Sequence, residues 1–196
     1  RYWRDWSSDV CSSDLIGQKG TGKDTVADYI IKNTDFKKIS YAEPLKKICK
    51  ELFDLTDEQL NDQHEKEKID PRWKMSPRVI LQSIGTDLFR KHYDENFWVN
   101  ILIQKIKNKN DNFIISDIRH QNELDILCSN FEFKNILILR LFRENDTVDN
   151  HSTEKNVYDI DVSNVFYIDI NNNLTKDTLY NSVSQIYKVY LLLNCY

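Results

Sequence analysis

The stretch Gly17-Gln18-Lys19-Gly20-Thr21-Gly22-Lys23-Asp24-Thr25 constrains this chain more than any other. Gly17 is followed by four residues and then by Gly22 and Lys23, the spacing of a phosphate-binding loop. Glycines let the backbone curl until several N–H groups face one anion. A helix opening at the end of the loop adds the positive end of its dipole. A lysine at that point is a mobile cation that reaches the outer phosphates. Gly17, Lys19, Gly20, Thr21, Gly22, Lys23, Asp24 and Thr25 are therefore the expected phosphate contacts. Val26, Ala27, Ile30 and Ile31 give 26–31 the apolar spacing of the helix that should follow. Asp24 stands where a magnesium-binding hydroxyl is usual, and Thr25, one residue on, can supply that oxygen.

The rest of the composition suits one globular domain, with 196 residues of which 40% are hydrophobic and 30% charged. A net charge of −4 argues against holding nucleic acid by bulk electrostatics. The four cysteines, Cys11, Cys49, Cys128 and Cys195, show no close pairing and no metal spacing. They read as reduced thiols of an intracellular, cytoplasmic protein. No apolar run has the length of a membrane span, and no signal peptide is visible. Residues 1–14 are anomalous: an apolar strand should lead into the loop, yet Ser12-Ser13-Asp14 repeats Ser7-Ser8-Asp9 behind two tryptophans. The stretch resembles a translated sequencing adapter, so 1–14 are expected to be an artefactual leader outside the fold.

Beyond the first helix, 36–40 read as a short strand and 44–53 as a helix with Leu45, Ile48, Cys49 and Leu52 on its apolar side. The charge-dense segment 54–75 reads as a solvated, mobile surface that includes His64. Ser76 and Pro77 start a helix that runs to about Lys91. Arg78, Gln82, Gly85 and Phe89 share one stripe of it. A mid-helix glycine costs ~1 kcal/mol against alanine. Something should therefore approach Gly85 closely, either a flat base or a crossing helix. A further helix, 96–107, carries Trp98. Residues 112–117 read as a buried parallel strand ending in Asp117, and ligands of such sheets bind beyond the carboxyl ends of the strands. Asp117 can hold magnesium through water or orient a hydroxyl, and Arg119 on the same side can grip a phosphate by two hydrogen bonds. The next strand, 135–140, is followed by Arg140 and Arg143 at the start of a lid region. His151-Ser152-Thr153-Glu154 has the pattern of a helix cap. Residues 165–169 form a last strand, an asparagine-rich turn covers 171–173, and 174–193 close the chain as a helix.

Five motifs, in order, resemble those of the deoxynucleoside monophosphate kinases of bacteriophages and large DNA viruses. They are the loop with Gly22-Lys23-Asp24-Thr25, the Gln-Gly-Thr-Asp helix around Gln82, Gly85, Thr86 and Asp87, Trp98-Val99, Asp117-Ile118-Arg119 with Glu123, and His151-Ser152-Thr153-Glu154. The resemblance implies an α/β P-loop kinase fold. That fold is a three-layer sandwich, a five-stranded, mostly parallel sheet with helices on both faces. It would occupy 15–196, with a helical acceptor-binding region at about 42–107 and a lid at about 140–155. The implied reaction converts ATP and a deoxynucleoside monophosphate to ADP and the diphosphate, for DNA precursor supply, with ATP and Mg2+ as cofactors.

The resemblance also assigns roles. Lys23, Arg119, Arg140 and Arg143 become the catalytic cations, with the loop on the ATP phosphates. Arg78 and Arg119 take the acceptor phosphate, Gln82, Gly85 and Trp98 the base, and Asp117 and Glu123 the sugar or base edges. Thr25 and Asp117 are the metal candidates. The implied partners are small-molecule nucleotides, not nucleic acid or membrane, and a homodimer stays open. A sister kinase of the dephospho-coenzyme A or phosphomevalonate type would keep the loop without the Gln-Gly-Thr-Asp helix and Trp98. A non-catalytic nucleotide-binding module would lose the acid and the arginines. The sequence does not separate dGMP, dTMP and modified dCMP as acceptors.

Overall fold

The computed structural model describes residues 12–107, 109, 111–143 and 157–194. Five strands form one sheet: β1 Ser12–Ile16, β2 Lys37–Ile39, β3 Phe113–Ile118, β4 Ile136–Phe142 and β5 Phe166–Asn171. Their order is β2-β3-β1-β4-β5, and every neighbouring pair is parallel. The helices are α1 Lys23–Asn33, α2 Ala42–Phe53, α3 Asp57–Asn61, α4 Pro77–Gln82, α5 Phe97–Lys107, α6 Gln121–Asn130 and α7 Lys176–Asn194. Two compact units divide the chain, one comprising 1–40 and 103–196, the other 41–102.

The first unit carries the sheet. Parallel strands are buried on both faces, so they are written as continuous apolar runs rather than alternating ones. β3 and β4 fit this, with Ile114, Ile115, Leu137, Ile138 and Leu139 at most 1% exposed. Val26, Ala27 and Ile30 of α1 and Leu179 and Val183 of α7 pack into the same core. β4 runs two residues further than its apolar pattern predicts, to Phe142, because its ladder with β5 continues through Phe142↔Asn171. Arg140 is therefore inside a strand and not beyond its end.

β1 breaks the apolar rule although it lies at the centre of the sheet. Ser12, Ser13 and Asp14 are fully buried between β3 and β4. Ser12 Oγ donates to Asp14 Oδ2 at 3.0 Å, while Ser13 Oγ and Asp14 Oδ1 have no hydrogen-bond partner among the described residues. Burial pushes the Asp14 carboxyl well above its ordinary range. Residues 12–14 thus belong to the fold, contrary to a leader boundary at residue 14, and Ser12–Asp14 form the polar half of a strand that physics would make apolar. Residues 1–11 lie outside the described residues.

The second unit is helical. Within it, 54–75 is not the loose surface that its charge density suggests. Leu55 and Leu60, each 2% exposed, join Cys49 and Ile80 in a small core. Thr56 and Gln59 form a reciprocal capping box at the start of α3. Asp54 closes α2 with φ 49°, a left-handed turn that Asp tolerates. Arg72 then clasps the segment, donating to both carboxylate oxygens of buried Asp70 and to the carboxylate and carbonyl of Asp54. That guanidinium holds the Asp70 carboxyl well below the usual carboxylate range. His64 is exposed.

The predicted helix from Arg78 to Lys91 changes register part-way. After α4 the backbone widens into a π-helical run, Ser83–Tyr93, closed by Asp94 N–H donating to the Phe89 carbonyl at 2.9 Å. Stripe positions computed at 3.6 residues per turn do not carry through such a stretch. Among the described residues no helix is long and apolar enough to cross a membrane. Cys49 and Cys128 are free thiols.

Candidate active site

β1 delivers the chain into the loop at the carboxyl edge of the sheet, where its last residue, Ile16, is level with Ile118 of β3 and Arg140 of β4. The loop turns at Gly20, φ 90°, and Gly22, φ 99°. Gly22 caps α1 with no side-chain hydrogen bond, and the positive end of the helix dipole there suits an anion. Lys23 lays its ammonium on the loop, donating to the carbonyls of Gly17 and, at 2.6 Å, Gln18. Thr21 is buried, its hydroxyl donating to the Gln18 carbonyl at 2.9 Å. Lys19 and Gly20 are exposed, and Thr25 is half-buried in the first turn of α1. Asp24 pairs with Lys38 of β2 at 2.8 Å, as Asp28 does at 3.2 Å.

Other elements of the same unit converge on the loop. Arg143, just past β4, donates from Nη1 to the Gly20 carbonyl at 3.4 Å. The Tyr158 hydroxyl accepts from the Gln18 N–H at 3.3 Å and donates to the Leu141 carbonyl at 2.8 Å. Asn172, after β5, donates from Nδ2 to the Thr21 carbonyl at 2.8 Å. Sequence reasoning missed Tyr158 and Asn172: both are remote in sequence, and an asparagine in an asparagine-rich turn carries no local signal.

Asp117 is half-buried near the carboxyl end of β3 and Arg119 follows that strand directly. Glu123 is 5% exposed and turns its carboxylate back on the chain, accepting from the Arg119 and His120 N–H groups at 2.8 and 3.2 Å. With His120 it makes the capping box of α6, so its observed work is to hold the backbone that presents Arg119. Arg140 does not stand in a lid. It grips Asp169 on β5 through two bonds of 2.7 and 2.9 Å, its guanidinium over the Tyr167 ring. The remainder of the expected lid, including His151-Ser152-Thr153-Glu154, lies outside the described residues.

In the second unit, Arg78 pairs with Glu67 and donates to Gln63 at 3.1 Å. Gln82 is half-buried at the end of α4. A Cβ at Gly85 would meet Leu45 of α2 at 2.6 Å, so α2 approaches this glycine closely. Trp98 is 5% exposed, packed against Phe89 and Phe97. Its indole N–H donates to the Gly85 carbonyl at 3.0 Å.

Thr25 and Asp117 offer the hard oxygen donors that Mg2+ takes, usually alongside substrate phosphates. Among the described residues no group of three or more His, Cys, Asp or Glu side chains could cage a metal by itself. That donor set fits an ion shared with a nucleotide.

The model of the deoxynucleotide monophosphate kinase family matches residues 14–72 and 56–183. The chain belongs to the deoxynucleotide monophosphate kinase family. Within it, the chain is 42% identical over 129 residues to a protein of Acanthamoeba polyphaga mimivirus provisionally named a deoxynucleotide monophosphate kinase, covering 58% of this chain and 66% of that protein. It is 43% identical over 54 residues to the deoxynucleoside-5'-monophosphate kinase of Escherichia phage T5, covering 27% of this chain and 22% of that one. The chain thus matches less than two thirds of either relative's length. Among solved structures, a sugar kinase from Janibacter superposes with a TM-score of 0.55 at 11% identity, covering 88% of this chain and 91% of that one. That likeness concerns the fold, which is the P-loop kinase fold.

Proposed function

We propose that this family member transfers the terminal phosphoryl group of ATP to a deoxynucleoside monophosphate, releasing ADP and the deoxynucleoside diphosphate. The bond from Pγ to the bridging oxygen of ADP breaks, and a bond from an oxygen of the acceptor phosphate to Pγ forms. Such transfer asks the protein for position and positive charge rather than covalent chemistry. The observation that carries the reading is the loop itself. Gly22 opens α1 without a side-chain cap, and the Lys23 ammonium already rests on oxygens of its own loop, a place that phosphate oxygens can take over.

In this reading Lys23 and the loop amides hold the ATP phosphates, with Lys19, Gly20, Thr21 and Thr25 lining them. Asp24, paired with Lys38, steadies the first turn of α1. Arg143 adds charge beside Gly20. Arg119, presented by Glu123, takes a phosphate. In the second unit, considered by itself, Arg78 is the candidate cation and Gln82 the candidate base reader. Asp117 orients the sugar. Mg2+, when bound, neutralises charge building on the transferred group, and Thr25 and Asp117 are the residues that would hold it. Gly85 and Trp98 shape the acceptor unit from within, without touching the base.

The test is a panel of deoxynucleoside monophosphates, including dGMP, dTMP, dCMP and its modified forms, with ATP and magnesium, following ADP release. Acceptor-dependent ADP release with at least one of them is the expected result. ADP release that never depends on a deoxynucleotide, or that depends on dephospho-coenzyme A or phosphomevalonate instead, contradicts the proposal.

A further inference from the structure

The Thr21–Gly22 peptide leads into the residue that caps α1, and its orientation decides where the Gly22 N–H points. A trans peptide holds C=O and N–H in opposite directions, so whatever grips the Thr21 carbonyl also aims the Gly22 N–H. Asn172 grips it, at 2.8 Å. Its own backbone is fixed by donation to the Phe142 carbonyl at 2.8 Å, where the β4–β5 ladder ends. The Asn172 carboxamide also fills the space that any side chain at position 22 would need, since a Cβ on Gly22 would meet Nδ2 at 2.6 Å. Gly22 holds φ 99°, a conformation that glycine adopts readily and that a free loop would populate only in part. Thr21 adds a second anchor through its hydroxyl on the Gln18 carbonyl, but that anchor is internal to the loop and ties it to nothing outside.

We infer that Asn172 is a positioning residue of the phosphate loop, which preorganises the Gly22 N–H for the nucleotide phosphates by tying the Thr21 carbonyl to the end of the sheet. The inference rests on the loop's being the ATP site. Asn172 touches no reacting atom in this account; it acts through Gly22. Preorganised donors lower the cost of ordering on binding, so loss of the brace weakens the nucleotide that uses the loop and spares the acceptor.

Asn172→Leu removes the donor at similar volume, and Asn172→Asp replaces it with an acceptor facing the Thr21 carbonyl. With net hydrogen-bond strength as the guide, the ATP dissociation constant should rise by about tenfold in either variant, and the KM for the deoxynucleoside monophosphate should stay within about twofold. Amide exchange at residues 18–23 of the nucleotide-free protein should accelerate while exchange in β3 and β4 stays unchanged. A purely structural role would lower protection across the sheet as well. Unaltered exchange at 18–23, or equal weakening of ATP and acceptor, overturns the inference. If Asn172→Leu does not fold, Asn172→Ser carries the same measurements. If wild type does not bind ATP, the reading of the site fails, and the exchange data on the nucleotide-free protein still decide whether Asn172 braces the loop.

Discussion

The Trp98 indole donates its N–H to the carbonyl of Gly85 at 3.0 Å, across a glycine whose open side is filled by Leu45. One residue of the expected base slot is thereby bonded to another, and both face the interior of the helical unit.

Trp98→Phe should therefore act on stability. It removes the indole's hydrogen bond and leaves a gap, which together cost about 1–3 kcal/mol, or a fall in Tm of about 3–10 °C for a chain of this size. Gly85→Leu should destabilise at least as much, because the added side chain must displace Leu45. Thermal unfolding checks both. A Gly85→Leu protein with wild-type Tm and a selectively raised KM for the deoxynucleotide would return Gly85 to the base slot.

The buried acid in β1 makes a second prediction. Asp14→Val removes a buried carboxylate with one unpartnered oxygen, at the cost of the Ser12 hydrogen bond, and should stabilise by about 1 kcal/mol near neutral pH. The folded-state pKa of Asp14 is raised by burial. Its favourable contribution is complete below the ordinary carboxylate range and is lost as pH climbs through the folded value. The stability gap between Asp14→Val and wild type should thus widen as pH rises from acid to neutral. Asp70, held low by Arg72, moves the other way and loses its contribution on acidification, so the two proteins must be compared at each pH. A gap that is constant with pH would show that Asp14 does not titrate as its burial requires.

Arg140 and Arg143 separate by measurement although they are close in sequence. Arg140→Met breaks the paired bonds to Asp169. For a partly exposed pair this should lower Tm by about 2–4 °C, on the order of 1 kcal/mol, with kcat within about threefold. Arg143→Ala should leave Tm unchanged and reduce kcat by about tenfold or more, since its charge sits beside the loop. A folded Arg140→Met enzyme with kcat reduced as strongly as that of Arg143→Ala would restore Arg140 to the catalytic cations.

Much of the frame was legible because its signals are local. The loop spacing, the apolar positions of α1 and the unbroken runs of β3 and β4 each follow from a few adjacent residues. Segment 54–75 was misjudged because two leucines, Leu55 and Leu60, are too few for a periodic pattern, although Thr56 and Gln59 spell a capping box. Ser12–Asp14 carry no strand signal; only pairing with apolar strands on either side makes them one. Arg140 read as the end of a strand because a charge interrupts the run, whereas Asp169 on β5 neutralises it inside the sheet. Asn172 and Tyr158 were invisible for a simpler reason: they lie 151 and 140 residues from the loop atoms they bond.

The central claim is that the loop at Gly17–Thr25 holds the phosphates of the donor nucleotide, with Lys23 as the cation that follows the transferred group. Lys23→Ala, purified and shown to be folded by its Tm, tests it most directly in the ADP-release assay with the best deoxynucleoside monophosphate. Losing that cation should raise the barrier by several kcal/mol, a fall in kcat on the order of a thousandfold or more, with the fold retained. Turnover within a few-fold of wild type in the folded variant would contradict the account.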